Sequence, residues 1–250
     1  MVKLRLLSLS LLGALLLSIT SYGQEEKRNT DFYFSGGMEI IFSGMTANNI
    51  NNQEYGNDVI RFAPVFNGQT YFNMDFGKHF GLFAGVSIKN LGFIFDVPDA
   101  YKADVGSGRV RKKMRTYNVG IPMGFKVGNL DGFFVYGGYE IEQPIHYKEK
   151  TFVGESKKYK FSIWFSDRVT TQQSVMLGIQ FSKGLNMKFK YYLDPFFNES
   201  WGSDQESIHG TTLSYNQITG NVFYFSLNCD IFDTKRKINR VKKAKVSVDF

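Results

Sequence analysis

The side chains best suited to chemistry in this sequence are three histidines and a set of charged residues that recur at alternate positions. His79 lies in a short turn, His146 at the end of an alternating segment, and His209 in an acidic loop beside Ser207. Histidine, serine and an acid together could form a hydrolase, including a lipid-modifying enzyme at a membrane rim. However, neither His146 nor His209 has a serine fixed on a strand two positions away, as a rigid site would prefer. The sequence therefore favours solvated histidines and predicts no enzymatic activity.

The charged residues alternate with apolar ones, so they are expected to share the interior of a barrel. An isolated buried charge is very costly, and acids and bases in a narrow interior should therefore form ion pairs. Eight strands leave an interior just wide enough for side chains, which favours a filled, ion-paired plug over a gated or ion-selective channel. The predicted interior charge network consists of Glu39, Asp75, Lys89, Lys126, Glu140, Glu142, Lys188, Lys190 and Asp230.

These residues lie on eight segments in which apolar and polar side chains alternate with a period of two. Bulky apolar side chains occupy one set of positions and polar side chains the other, and short connections alternate with long ones. Segments of ~9–11 residues are long enough to cross a bilayer at a tilt. The pattern predicts an all-β fold, namely an antiparallel transmembrane up-and-down β-barrel of eight strands. The segments cover residues 31–43, 61–76, 80–95, 116–127, 133–142, 172–181, 187–193 and 223–231.

The long connections are expected outside the cell and the short turns in the periplasm. These external loops are predicted at residues 46–58, 96–113, 147–167 and 194–214. Within them, Phe161, Ile163 and Phe165 alternate, so a further hairpin in residues 149–166 would give ten strands. Loop aromatics could form a recognition surface, although Trp164 and Phe165 could equally belong to an interfacial belt. The loop aromatics are Tyr55, Tyr101, Tyr159, Trp164 and Trp201.

The first 23 residues have the pattern of an export signal. Lys3 and Arg5 precede an apolar run over residues 6–19, and Ser21 and Gly23 suit cleavage before the next residue. The run is shorter than the ~20 residues that a spanning helix needs. We therefore expect a signal peptide over residues 1–23, an outer-membrane barrel over 24–233 and a basic periplasmic tail over 234–250, in a Gram-negative cell.

The positive charge of the chain is concentrated in that tail. The formal net charge is +7, and without the signal and tail cations the rest carries −2. The tail could bind an anionic protein partner in the periplasm or envelope, or anionic headgroups, or remain solvated. An exported chain seldom meets nucleic acid, so none is expected as a partner. The tail cations are Lys235, Arg236, Lys237, Arg240, Lys242, Lys243 and Lys245.

Composition fits a membrane barrel without a cofactor. The 25 Phe and 14 Tyr are natural for aromatic girdles, and the mean hydropathy of −0.23 reflects polar residues between the apolar ones. Cys229 is the single cysteine, and no metal or nucleotide motif occurs, so no cofactor is predicted. A secreted lipocalin-like barrel would turn its apolar faces inward around a ligand. The charges on the polar faces argue against that alternative, and outer-membrane lipid is the expected surrounding.

One segment resembles a known family. Residues 117–126, Tyr-Asn-Val-Gly-Ile-Pro-Met-Gly-Phe-Lys, are similar to a mid-barrel strand of the outer-membrane β-barrel domain family, including its PorT-like members. Gly137-Gly138-Tyr139 is similar to the small-residue strand that follows. The resemblance implies a structural or interaction role in the envelope. Such barrels commonly end on an aromatic residue, whereas here a basic extension follows Phe232. Either Phe232 or the terminal Phe250 could serve as the assembly signal.

Overall fold

The computed structural model describes residues 30–50, 53–54, 59–102, 108–182, 184–201, 208 and 211–235. Regular structure in these residues is almost entirely β-strand, with two short 3₁₀ helices at Asp99–Tyr101 and Tyr215–Gln217. The strands are β1 (Thr30–Ile50), β2 (Gln53–Glu54), β3 (Arg61–Ala63), β4 (Gly68–Phe76), β5 (Phe80–Asp96), β6 (Val110–Gly128), β7 (Phe134–Val153), β8 (Ser156–Trp164), β9 (Gln172–Gln180), β10 (Leu185–Pro195) and β11 (Ile218–Asp233).

Eight of these strands close into a ring. Its order is β1, β4, β5, β6, β7, β9, β10 and β11, and β11 pairs antiparallel with β1 to complete it. In the closing register Ile40 lies opposite Leu227 and Phe42 opposite Phe225. Closure leaves no ring strand with an unpaired edge. Within the described residues, the predicted antiparallel up-and-down barrel of eight strands is confirmed.

Exposure alternates along the ring strands because successive side chains point to opposite faces. In β9, Gln172, Ser174 and Met176 are buried inside, whereas Val175 and Leu177 face outward, Leu177 with 64% of its surface exposed. The same alternation in the other strands follows the faces predicted from the sequence. Apolar side chains thus cover the outside of the ring, and polar ones fill the middle of its inside.

Several ring strands extend beyond their predicted ends. β1 continues to Ile50 and pairs there with β11 and β2, so the prediction of a loop at residues 46–58 is wrong for 46–50 and 53–54. β7 continues to Val153, and β8 returns beside it, pairing with β7 alone. The prediction that residues 96–113 and 147–167 are loops is therefore wrong for 110–113, 147–153 and 156–164, where pairing continues. The further hairpin does exist, but β8 lies off the ring, so a ten-stranded barrel does not form. We name residues 110–118, 146–153 and 156–164 the hairpin extension.

The second predicted segment, residues 61–76, is interrupted. β3 pairs with β1, placing Phe62 opposite Phe42, and β4 begins only at Gly68. Pro64 has no N–H for a sheet, and Phe66 adopts a positive φ of 61°. The Asn67 side chain stabilises the bend, since its Nδ2 donates to the Ala63 carbonyl at 2.7 Å.

The barrel has a turn end and a loop end. Short turns after β4, β6 and β9 mark the turn end, and the longer connections mark the loop end. An apolar cluster fills the interior at the loop end, where Phe196 packs against Phe93 with ring centroids 4.9 Å apart. Tyr101 and Trp201 pack against this cluster. Of the loop aromatics that could form a recognition surface, these two are partly buried, because the loops fold into the barrel mouth and bury apolar surface.

The described part of the chain contains no helix long and apolar enough to cross a bilayer. The predicted signal peptide, residues 1–23, and the tail beyond Lys235 lie outside the described residues.

Candidate functional site

The middle of the barrel interior holds a first ion-pair group centred on Glu39. Lys89 donates to Glu39 at 2.9 Å, Lys188 donates to the same carboxylate oxygen, and the Glu39 and Lys89 side chains are fully buried. Both ammonium groups also donate to Gln69 Oε1, at 3.0 Å and 3.1 Å. Side chains from four ring strands thus meet around the two ammonium groups, and both cations depend on the single carboxylate of Glu39.

A second group lies beside the first and has the opposite balance of charge. Lys190 donates to both Glu140 and Glu142, and all three side chains are buried. The carboxylate of Glu142 also accepts from the Tyr192 hydroxyl at 2.8 Å and from Asn118 Nδ2 at 2.9 Å. The additional donors help two acids share one ammonium group, because each hydrogen bond to a buried carboxylate offsets part of its desolvation.

Asp75 and Lys126 form a separate group at the turn end. Lys126 donates to Asp75 at 2.6 Å and to the Tyr33 hydroxyl at 2.8 Å. Asp230 lies nearby, where it accepts from Gln180 Nε2 at 3.1 Å. The structure therefore divides the nine predicted interior charges among two central groups and the turn end, and it joins them with neutral side chains.

Lys235, the first cation of the predicted tail, contacts the turn-end group. Its Nζ lies 3.0 Å from Asp75 and 3.3 Å from both Asp31 and Asp131. Partial burial alone would lower the pKa of Lys235, but the hydrogen bond and charge of Asp75 raise it overall. Lys235 therefore closes the barrel mouth at this end. The other predicted tail cations lie outside the described residues.

An aromatic layer separates the turn-end group from the central ion pairs. Phe83 packs edge-on against Tyr71 and Tyr136 with centroid distances of 5.1 Å and 5.9 Å, and Met176 lies beside them. The Tyr136 hydroxyl donates to Asn186 at 2.7 Å. Gly178 opposes Tyr136 across the sheet, and a Cβ there would overlap the tyrosine ring. The cavity left beside this layer has a volume of about 60 Å³.

The stacked layers explain what the interior can do. Four of the charged side chains have no exposed surface, namely Glu39, Lys89, Glu142 and Lys190. These charges therefore interact with one another and not with water. The Tyr224 hydroxyl also lies 3.5 Å from the second oxygen of Glu39. Sequence reasoning found the charges but missed the neutral partners Gln69, Tyr192 and Tyr224. Their only signal was a position on the polar face of a strand. The arrangement stabilises a filled barrel.

The described histidines do not form a catalytic group with a serine. The His146 ring lies 4.6 Å from Trp164 and 5.6 Å from Tyr117, measured between centroids, and its Nδ1 has no hydrogen-bond partner in the described residues. His79 is exposed in its turn and contacts the Gly128 carbonyl through Nδ1 at 3.2 Å. His209 and Ser207 lie outside the described residues, and so does Tyr55.

At the loop end, aromatic residues surround His146 on the outer surface. Trp164 is 61% exposed and Phe165 is 75% exposed, and Phe66 packs against Tyr117 at 5.6 Å. These side chains lie just beyond the outward apolar residues of the ring. No group of three or more histidine, cysteine or acidic residues in the described ranges is arranged to hold a metal ion.

No family model and no curated protein matches this sequence. Two solved structures of Ail, the attachment invasion locus protein of Yersinia pestis, are similar to it in shape. One, in complex with the heparin analogue sucrose octasulfate, has a TM-score of 0.35 and 9% identity over 80% of this chain and 99% of Ail. The other has a TM-score of 0.30 and 11% identity over 80% and 97%. Because both TM-scores are low, the barrel fold is assigned from the strand pairing of this chain and not from the similarity to Ail.

Proposed function

We propose that this protein is an integral β-barrel of the bacterial outer membrane, with a filled interior and an interaction role in the cell envelope. One observation carries the proposal: apolar side chains cover the outside of a closed ring whose inside is packed with ion pairs. A soluble barrel has the reverse arrangement, with its apolar core inside. Only a surrounding lipid phase makes the observed arrangement favourable.

The outward apolar residues form a continuous band, and we assign the membrane-spanning segments from it. Each ring strand contributes, from Phe32 to Phe42 in β1 and from Val119 to Val127 in β6, for example. A patch of this extent far exceeds the few hundred Å² that a soluble monomer exposes. The segments cover residues 32–42, 70–76, 80–88, 119–127, 133–141, 175–181, 185–193 and 223–231.

Aromatic side chains border the band on both sides, as membrane girdles do. At the turn end Phe76 stacks on Phe80 with centroids 6.0 Å apart, and Phe133 contacts Phe181 at 5.8 Å. At the loop end Trp164 is exposed in the corresponding position. This supports the assignment of Trp164 to a belt rather than to a loop-tip recognition surface.

The filled interior supports a role in which the protein binds partners through its surface, and it does not favour a pore or an enzyme. The central charges are neutralised within the barrel, and the loop-end mouth is packed with Phe196 and its neighbours. The protein is proposed to have no enzymatic activity. The hairpin extension and the basic tail are the parts available to an envelope partner, in agreement with the PorT-like resemblance of residues 117–126.

Membrane insertion and conductance test the proposal together. We expect the mature chain, folded into phosphatidylcholine vesicles, to float with them through a density gradient after an alkaline carbonate wash. In planar bilayers we expect no steady open-channel conductance, because the interior lacks an aqueous path through the ion-pair groups. Protein that stays dissolved in buffer without detergent would contradict the membrane assignment, and nanosiemens conductance would contradict the filled interior.

A further inference from the structure

The outward face of the hairpin extension carries cations on three adjacent strands. Register places Lys113 opposite Lys150, Arg115 opposite Lys148, and Lys150 opposite Lys160. Like charges directly opposite each other destabilise a sheet, so this arrangement costs folding free energy. We name these residues the basic face: Arg111, Lys113, Arg115, Lys148, Lys150, Lys157 and Lys160.

No described acid neutralises the basic face. Asp96, at the neighbouring end of β5, is held by Arg109 through Nε at 2.9 Å, and Glu149 is buried on the opposite side of the sheet. Among the described residues, none of the seven cations forms an ion pair. The positive charge is therefore uncompensated within this part of the chain and is available to an anion.

The cations also weaken one another. Desolvation, followed by the charges of Arg115, Lys157 and Lys160, lowers the pKa of Lys150. The pKa of Lys148 is lowered by desolvation and by the same kind of neighbours, with Arg115 first among them. A bound anion would relieve this repulsion, because an opposite charge within a few ångströms favours the protonated form.

A cleft of about 190 Å³ opens between the basic face and the chain following β3. Arg61 is 2% exposed, and its Nη1 donates to the Asn90 carbonyl at 2.9 Å. The Nε atoms of Arg61 and Arg115 are buried, without a hydrogen-bond partner in the described residues. One side of the cleft is cationic and the other is apolar. The cationic side is lined by Lys113, Arg115, Lys148 and Lys150, and the apolar side by Phe62, Ala63, Pro64 and Val65.

The height of the cleft relative to the apolar band indicates which class of anion it binds. Val119 is the last band residue of β6 at the loop end, and Arg115 lies four residues further toward that end. Four residues span ~14 Å along a strand, which is ~10 Å along the membrane normal at a tilt of ~45°. Headgroups extend roughly 5–8 Å beyond the hydrocarbon core. The backbone of Arg115 thus lies just beyond the headgroups, and its long side chain can reach back to them. On the other wall Phe62 lies opposite Phe42, at the edge of the apolar band, so the cleft opens sideways at headgroup height. Its exposed Phe62 and Val65 suit a molecule with an apolar portion, which a soluble polysaccharide lacks.

We propose that the basic face and its cleft bind the phosphate-bearing headgroup of an anionic lipid in the outer leaflet. Arg115, Lys148 and Lys150 surround the phosphate, since charge-assisted hydrogen bonds from arginine and lysine are the strong ones. Phe62 and Val65 contact the apolar part of the lipid. The inference rests on the proposed function, because the lipid is reached only from within the membrane.

Spin-labelled lipids in vesicles containing the folded protein test this inference. We expect the motionally restricted fraction of labelled phosphatidic acid to exceed that of labelled phosphatidylcholine at least about threefold. The variant R115Q/K148Q/K150Q should abolish the preference. R115K/K148R/K150R, which keeps the charge, should retain it, and so should K78Q/K102Q, which removes two cations that do not line the cleft. Heat-modifiable migration in gels establishes that each variant is folded.

The outcomes separate this inference from the proposed function. Wild-type protein that fails to float with the vesicles refutes the membrane assignment itself. Protein that floats but shows equal restriction of both lipids, or an unchanged preference in R115Q/K148Q/K150Q, overturns the lipid site alone. The lipid site is also overturned if inorganic phosphate abolishes the preference at equal concentration, or if heparin binds the basic face in the absence of any lipid preference.

Discussion

Replacing Glu39 with alanine is expected to cost about 3–5 kcal/mol of folding free energy, among the largest losses available from a single residue in this barrel. Lys89 and Lys188 both donate to this carboxylate, and neither ammonium group can reach water. Gln69 remains as an acceptor, but its amide carries no charge to balance them. The measurement is urea-induced unfolding of the refolded protein in detergent micelles, followed by tryptophan fluorescence.

Two further variants separate charge from packing in this experiment. Glu39→Gln keeps the volume but removes the charge, and it should lose most of the same free energy. The double variant E39L/K188M replaces one ion pair with apolar groups of similar volume, and part of the stability should return. Glu155→Gln removes an exposed carboxylate in the turn before β8 and should change stability by less than about 0.5 kcal/mol. Equal stability of E39A and wild type would contradict the buried ion-pair description.

Replacing Gly178 with valine is expected to destabilise the barrel by about 3 kcal/mol. The Tyr136 ring occupies the space in front of Gly178, and an added side chain would overlap it. Overpacking costs about 1–3 kcal/mol, and displacing the ring also breaks the hydrogen bond from its hydroxyl to Asn186, which adds about 1 kcal/mol. The unfolding midpoint in urea measures the effect.

Gly137 provides the matched control on the opposite face of β7. A Cβ added there would meet the Phe125 ring at 3.4 Å, which is ordinary contact. Gly137→Val should therefore remain folded, with a shift well below that of Gly178→Val. In the background Tyr136→Ala, which vacates the space, Gly178→Val should cost much less. Equal shifts for the two glycine variants in the wild-type background would contradict the described interior packing.

The face of each strand could be predicted from the sequence because alternation is a local property. Tyr136 and Glu140 occupy even positions of β7, whereas Val135 and Ile141 occupy odd positions. In a strand this difference alone decides whether a side chain faces the interior or the outside of the barrel. The interior charges could be identified for the same reason. Closure of eight such segments followed from their number and from the lengths of their connections.

The partners within the interior could not be predicted, because parity does not specify register. Glu39 on β1 and Lys188 on β10 meet inside the barrel although 149 residues separate them and β11 lies between their strands. Register shifts in the ladders, such as the one between Gly36 and Gly37, displace every later pair by one position. Selecting Lys188 rather than Lys190 as the partner of Glu39 requires the closed ring.

The sequence predicts a loop where the hairpin extension lies because the alternation there has a different composition. Arg111, Lys113 and Arg115 alternate with Val110, Lys112 and Met114 at the same period as the band below. Charged outward residues are atypical of a lipid-facing strand and favour solvent. The strands in fact continue past the apolar band as paired sheet, and the cationic outward side is what the proposed lipid site uses. The sequence likewise places Lys235 in a tail with its neighbours, although its Nζ contacts Asp75 at the turn end.

The most direct test of the membrane assignment is a spin-label accessibility scan of β9 in vesicles. Single cysteines at positions 173–177, 179 and 180 in a Cys229→Ser background report collision with oxygen, which enriches in lipid, and with a water-soluble nickel chelate. Labels at positions 175, 177 and 179 are expected to collide strongly with oxygen and weakly with nickel, whereas labels at 174 and 176 are expected to be shielded from both. High nickel accessibility at position 177 would show that the apolar band faces water, and the proposed membrane barrel would then be wrong.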